Sequence, residues 1–298
     1  MSPKNWIKFI ALGLLWGSSF LWIKIAVQEV GPMTLVAFRT GFSIIALGVV
    51  SLFIRPKIRK SDLWILAVLG FFNVALPYIM IAWAEKHISS GMAAILNSMV
   101  PLFTILIAPL FLKDERLNVK RGAGLLLGLA GVIVLMSNQL QSNDALEVIG
   151  VLVMLVAVSF YAGSGIFARN MNRCMDSVSQ SLGQMVFSFL FSTTAALSFE
   201  MPFHLPVLPK TYLAFAWLGI LGSCVATLLW FSLINSVGPT RTSMVAYIYP
   251  LVGVVLGMLF LGESIDWRLV VGGVLIILAV GLVNAQKTPA SVTVSPCP

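Results

Sequence analysis

The chain has 298 residues and a net charge of +8; 59% of its residues are hydrophobic and only 10% are charged. About a quarter of a typical soluble domain is charged, so this composition excludes an ordinary soluble fold and points to an integral membrane protein. No basic run is interleaved with aromatics, which argues against a nucleic-acid partner and leaves the positive charge to cytoplasmic loops.

A bilayer core about 30 Å thick takes roughly 20 apolar residues as a helix. Such runs are predicted at 6–27, 34–54, 63–84, 91–112, 119–137, 146–168, 178–199, 211–235, 242–261 and 268–284. The first follows Lys4 and Lys8. It is too long for a signal peptide and no small-x-small cleavage site follows, so it is read as a mature helix. It holds LLWGSSFLWIK, residues 14–24. Trp16 and Ser19 are three apart and share a face, which is assigned to an internal cavity. Gly17 and Ser18 suit close helix packing. Trp22 and Lys24 suit the lipid interface, as a belt aromatic and a snorkelling amine.

Arg39, near the start of the second run, has two explanations: snorkelling, or a positive rim that draws a solute carboxylate. In the third run Asn73 and Tyr78 flank Pro77 and are candidate pocket residues, while Trp83 suits the interfacial belt. In the fourth, Asn97 lies four residues before Pro101, which leaves the Asn97 carbonyl without its usual donor and bends the helix. The Asn97 amide needs a partner, either a solute or a neighbouring helix. Gly124, Gly128 and Gly131 form a small-residue face on the fifth run, and Gly253 and Gly257 a GxxxG on the ninth; both suit close packing. On the eighth run Trp230 and Asn235 are ambiguous. Of Tyr247 and Tyr249, which precede Pro250, Tyr247 is favoured for the pocket because it is nearest the place of Asn97 in the repeat described below. The tail, residues 287–298, is polar and is expected to be disordered.

Glu29, Glu85, Glu115 and Glu263 all fall near predicted helix ends, and no Asp or Glu is predicted at mid-membrane. Coupled carriers commonly use such a carboxylate, so a facilitative carrier is expected. Cys174, Cys224 and Cys297 have no metal or redox spacing, and His87 and His204 stand far apart. With no catalytic motif either, neither an enzyme, a metal nor a cofactor is expected. Lys4, Lys8, Arg55, Lys57, Arg59, Lys60, Lys113, Arg116, Lys120, Arg121, Arg169, Arg173, Arg241 and Lys287 fall on one side, against Lys86, Lys210 and Arg268 on the other. This asymmetry predicts that both termini are cytoplasmic and that the number of spans is even.

The chain also repeats itself. LGFFNVALPYIMIAWAEKHISSGMAAILNSMVPLF from Leu69 resembles LGILGSCVATLLWFSLINSVGPTRTSMVAYIYPLV from Leu218. Pro101 and Pro250 stand at the same distance from those leucines, each followed by Phe-Leu, a Glu (Glu115 and Glu263) and a Gly (Gly124 and Gly272). WGSSFLWIK from Trp16 aligns with YAGSGIFAR from Tyr161, which pairs Trp16 with Tyr161, Ser19 with Ser164 and Lys24 with Arg169. Five spans per half invert the second half relative to the first, an architecture of transporters that bind solute near the midplane. Residues 1–141 are expected to form the first five-helix repeat and 142–286 the second, inverted one. The fold class expected is an all-α membrane protein, ten transmembrane helices as two inverted repeats around a central cavity.

The LLWGSSF segment, FRTG at Phe38–Gly41, and the duplicated pattern of Pro, Phe-Leu, Glu and Gly resemble the EamA-type members of the drug/metabolite transporter superfamily. The first copy departs from that pattern with FLKDER, and Pro77 has no counterpart in the second half. The resemblance implies a ten-helix basket whose first, third, fourth, sixth, eighth and ninth helices line a cavity. It also implies export of small metabolites, most often amino acids or related compounds. The combined expectation is an alternating-access exporter of aromatic or neutral amino acids in a bacterial inner membrane. Its partners are a small-molecule solute and the lipid bilayer, and its oligomeric state is left open. Trp16, Ser19, Asn73, Tyr78, Asn97, Tyr161, Ser164 and Tyr247 are the expected solute-binding residues, and Pro77, Pro101, Pro250, Gly253 and Gly257 the hinge or packing residues. The alternatives are a carrier of cationic drugs, sugars or nucleotide derivatives, a membrane enzyme, or a non-transporting membrane subunit.

Overall fold

A computed structural model describes residues 1–111, 119–137, 145–171, 175–202 and 205–284 of the chain. Glu115, Cys174, His204, Cys297 and the polar tail lie outside the described residues. Within them the regular structure is all helical. Eight helices are long and apolar enough to cross a membrane: α1 Pro3–Ala26, α2 Pro32–Ile54, α3 Lys60–His87, α4 Ser90–Phe111, α6 Ala145–Met171, α7 Ser177–Phe199, α8 Pro209–Val237 and α9 Arg241–Leu261. Two further helices, α5 Val119–Met136 and α10 Trp267–Asn284, contain the shorter apolar stretches Gly122–Met136 and Trp267–Leu282. Pro3, Pro32 and Pro209 open α1, α2 and α8, where a fixed φ and a missing N–H cost nothing.

Four helices are interrupted, and the local sequence explains why. In α3 a π-helical segment, Gly70–Ala75, precedes Pro77; the extra residue per turn absorbs the clash between the proline ring and the carbonyl four residues earlier. In α8 the segment Trp217–Val225 is also π-helical, although no proline follows; Gly219 and Gly222 supply the freedom there. In α4 the helix breaks between Asn97 and Val100, just before Pro101. In α9 a tight 3₁₀ turn, Met244–Tyr247, precedes Pro250. The widened turn therefore occurs in both halves although Pro77 occurs in one.

The helices pack in a consistent pattern. α1 packs on α8 and α9, and α6 on α3 and α4; α2 packs on α7 and α8, and α7 on α3; α4 packs on α9, and α5 on α10. Glycines set the closest approaches. A Cβ on Gly70 would stand 2.7 Å from Phe187 Cβ and 2.9 Å from the Gln184 carbonyl. A Cβ on Gly219 would stand 2.6 Å from the Arg39 carbonyl and 3.1 Å from Ser43 N, and would also strike the Phe42 side chain. Gly253 packs against Ala94, and a Cβ on Gly257 would meet Ser90 Oγ at 2.7 Å, so this GxxxG face lies on α4. Gly128 and Gly131 pack on Leu102 and Ile276. A large buried apolar core runs through these contacts, with a smaller cluster of Leu47, Val74, Met185 and Cys224 apart from it, and large apolar side chains such as Ile45, Leu52, Phe53 and Leu110 stand exposed on the outside, as a lipid-facing surface requires.

Candidate functional site

The π-helical segment of α8 organises the middle of the molecule. Trp16 Nε1, from α1, donates to the Gly222 carbonyl at 3.0 Å. Arg39 Nε, from α2, donates to Ser223 Oγ at 3.0 Å. Two consecutive residues of one widened turn thus anchor side chains from two other helices. Around Trp16 an aromatic cage forms: its ring centroid lies 5.3 Å from that of Trp230 and 5.9 Å from that of Tyr249, the latter edge-on. Ser19 donates to the Leu15 carbonyl at 3.0 Å, and its oxygen lies 3.0 Å from where a Gly222 Cβ would be.

Arg39 is the charge at this centre. It is only 5% exposed, and its guanidinium carbon sits 3.8 Å from the centroid of the Tyr78 ring. Tyr161 lies beyond, its ring 6.4 Å from that of Tyr78. Among the described residues no carboxylate lies within ion-pair distance of Arg39; a hydroxyl and a π-face hold it. Neither compensates a full buried charge. Snorkelling, the first of its two sequence-based explanations, is therefore corrected. Arg39 lies about two turns in from the start of α2, and its side chain turns inward to Ser223 and not outward to water.

The other candidate residues divide. Trp16 and Ser19 meet the Gly222–Ser223 turn directly, whereas Tyr78 is joined to it through Arg39 and Tyr161 lies against Tyr78. Asn73 donates to Gln184 Oε1 at 2.8 Å and so ties α3 to α7. Asn97 Oδ1 and Ser164 Oγ are buried without a hydrogen-bond partner. Ser164 lines a mostly apolar cavity of about 220 Å³ with Phe72, Phe160 and Phe167. Tyr247 points its hydroxyl toward α10, where a Cβ on Gly281 would be 3.7 Å away; Tyr249 is the tyrosine that meets Trp16. Ser43 and Ser188, at matching places on α2 and α7, also carry buried hydroxyls without partners.

Several residues that sequence reasoning assigned to lipid or to packing bond across helices instead. Trp22 lies against Trp217 at 5.4 Å, and Trp217 Nε1 donates to Ser18 Oγ at 3.1 Å. The Lys24 amine does not snorkel; it donates to the carbonyls of Glu85 and of Ile88, the latter at 2.8 Å, where the last carbonyls of α3 attract a cation. Glu85 is fully buried, with both carboxyl oxygens unpartnered, although it falls near a helix end.

Three more carboxylates close the same end of the molecule, each on the N-terminus of a helix, where free N–H groups and the dipole favour negative charge. Glu29 accepts from Leu208 N at 3.0 Å, Val207 N at 3.2 Å and the Thr211 hydroxyl, at the start of α8. Glu200 accepts from Met33 N at 2.9 Å, Thr34 N at 2.8 Å and Thr34 Oγ1 at 2.7 Å, at the start of α2. Glu263 accepts from Ser90 N at 2.7 Å, Ser90 Oγ at 3.0 Å and Gly91 N at 3.2 Å, at the start of α4. The Thr211 hydroxyl and, after it, the Leu208 and Val207 amides hold the Glu29 carboxyl below its ordinary value, against some desolvation.

Comparison with known proteins matches the EamA-like transporter family model to residues 5–137 and 148–285. The chain is 29% identical over 296 residues to the uncharacterized inner membrane transporter YedA of Escherichia coli, covering 96% of this chain and 93% of that protein. It is 24% identical over 286 residues to a probable terminal-alkyne amino-acid exporter of Streptantibioticus cattleyicolor, covering 91% and 90%. A solved crystal structure, 20% identical, superposes with a TM-score of 0.66 over 95% of this chain and 98% of its own, a likeness of fold.

Proposed function

The chain belongs to the EamA-like transporter family, and on that premise we propose that it exports a small solute bearing a carboxylate, best fitted by an aromatic or neutral amino acid. The observation that carries this reading is Arg39, a buried cation with no carboxylate within ion-pair distance among the described residues. A buried charge without a counter-ion is costly, and a carboxylate arriving with the solute supplies the missing partner in the geometry a guanidinium favours. The aromatic cage of Trp16, Trp230 and Tyr249 offers a wall for an apolar side chain, and the hydroxyls of Ser19, Ser223 and Tyr78 offer polar contacts for the amino acid head. A cationic solute fits less well, because Arg39 repels it. One relative named as a probable amino-acid exporter supports the solute class and the direction.

The mechanism proposed is alternating access by two inverted five-helix repeats, residues 1–141 and 142–286, with ten spans. Helix packing supports it. Exchange α1–α5 with α6–α10 and the pairs map onto one another: α1 on α8 becomes α6 on α3, α1 on α9 becomes α6 on α4, and α2 on α8 becomes α7 on α3. Residue contacts follow the same exchange, since Gly219 meets Phe42, Arg39 and Ser43 as Gly70 meets Phe187, Gln184 and Ser188. In this reading Arg39 and Gln184 are counterparts, one charged and one neutral, so the two halves present different chemistry to one solute. The Lys/Arg asymmetry then sets both termini, Arg55 to Lys60 and Arg169 in the cytoplasm, and the Glu29, Glu200 and Glu263 caps outside.

The test is transport by the purified protein in liposomes. Saturable movement of L-phenylalanine or L-tryptophan is expected, with L-phenylalaninamide, which lacks the carboxylate, a poor competitor. Arg39→Gln is expected to lower the flux by about 10- to 100-fold, the equivalent of losing a charged hydrogen bond of roughly 1.5–3 kcal/mol. No saturable movement of any amino acid, or an amide that competes as well as the acid, would overturn the solute class.

A further inference from the structure

Glu85 has a burial that the carrier reading does not use. It sits on α3, close to the Ile88 end, with no exposed surface and no hydrogen-bond partner on either carboxyl oxygen. Three charged groups act on it: Lys24 from α1, Arg39 from α2 and Glu263 from the turn after α9. From α6, Gly150 packs on Ala84, His87 and Ile88. From α4 the approach is the Ser90–Gly91 terminus, whose donors all go to Glu263.

Of the carboxyl groups at this end, Glu85 and Glu263 thus have unequal supplies of donors. Glu263 takes two backbone amides, a hydroxyl and the positive end of a helix, which together satisfy a negative charge. Glu85 takes none. The obvious cation does not compensate it either, since the Lys24 amine is committed to the backbone carbonyls of Glu85 and Ile88. An ionised carboxylate in a dry interior without donors is costly; a bound proton removes most of that cost.

We propose that Glu85 is a proton-exchange site that couples solute movement to proton movement, a step that rests on the carrier reading. With the α1, α3 and α4 ends packed together, the carboxyl holds a proton. When they part, water reaches it, the proton leaves the carboxyl oxygen for that water, and the Lys24 amine moves from the two carbonyls to the new carboxylate. Closing requires a proton to return to the same oxygen, so one proton is released and one taken up per cycle. In this reading solute movement depends on protons, in place of the facilitative mechanism expected from the sequence.

Two measurements on the full-length protein in lipid vesicles test this. Infrared difference spectra recorded across a pH jump are expected to show a protonated-carboxyl C=O stretch that is lost in Glu85→Gln, a variant with the shape of the protonated acid. Glu85→Asp, which keeps the acid and moves the band, secures the assignment if Glu85→Gln folds poorly. L-Phenylalanine flux through the wild type is expected to rise several-fold under an imposed pH gradient, and flux through Glu85→Gln to ignore that gradient. A spectrum showing Glu85 as a bare carboxylate in the closed protein, or a Glu85→Gln flux that follows the gradient as the wild type does, overturns the proposal. If L-phenylalanine moves through neither protein, the carrier reading for that solute fails, and the infrared band still decides whether Glu85 holds a proton.

Discussion

Arg39 and Glu29 show two ways in which one side chain sets a local energy here. Arg39 is buried with incomplete compensation, which suits a group waiting for a ligand. Glu29 is fully compensated, which suits a latch. Because the Thr211 hydroxyl holds the folded Glu29 carboxyl below its ordinary value of 4.5, its contribution to stability is present above that value and is lost as the pH falls through the lower, folded one. The thermal midpoint of the wild type in detergent is therefore expected to fall as the pH drops below 4.5. Glu29→Gln, which cannot ionise, is expected to start lower at neutral pH and to fall less. Identical pH profiles for the two proteins would show that the Glu29 contacts to α8 carry no stability. The group is solvent-exposed, so the effect on the midpoint is small and salt-sensitive.

At the scale of the helix, the widened turns of α3 and α8 place the site. Each lies beside a glycine where a neighbouring backbone comes too close for any Cβ. Gly219→Ala would set its methyl 2.6 Å from the Arg39 carbonyl, and Gly70→Ala 2.9 Å from that of Gln184; backbone cannot rotate away as a side chain does. Both are expected to destabilise by about 1–3 kcal/mol, the usual cost of overpacking, with Gly219→Ala also lowering transport because it pushes α2 and Arg39 from Ser223. Gly48→Ala, where a Cβ meets nothing within 4 Å, is the control and is expected to leave thermal stability and flux unchanged. Equal melting of all three variants would remove the argument for close packing at the two turns. The apolar runs made each helix legible in the sequence to within a few residues, because burial in lipid needs a continuous apolar segment. The turns were not legible. Pro77 marks the one in α3, but in α8 the same distortion comes from Gly219 and Gly222 and from the packing of α2, which is a tertiary cause. Arg39 and Lys24 were misplaced for a related reason: a long side chain near a helix end reaches water or protein equally well, and only the neighbouring helix decides. Trp16 and Tyr161 stood out as aromatic groups beside small polar residues in two stretches of sequence that align, and Tyr78 as an aromatic group next to Pro77.

At the scale of the whole molecule, the charge is divided end from end. Carboxylates Glu29, Glu200 and Glu263 pin helix starts at one end across the two halves of the chain. Basic residues gather at the other, where Lys8 also bonds Ser232 at 2.7 Å. Between these ends Ser43, Asn97, Ser164 and Ser188 carry buried polar atoms without hydrogen-bond partners. In the proposed carrier the Arg39–Ser223 centre is a solute site reached in turn from either side. The decisive measurement is the reactivity of Ser223→Cys, in a protein lacking Cys174, Cys224 and Cys297, toward a membrane-impermeant maleimide added to one face or the other. Reaction is expected from both faces, slowed from each by the amino acids that the protein moves. A thiol at this position that reacts from neither face, or whose reaction no amino acid slows, would contradict it.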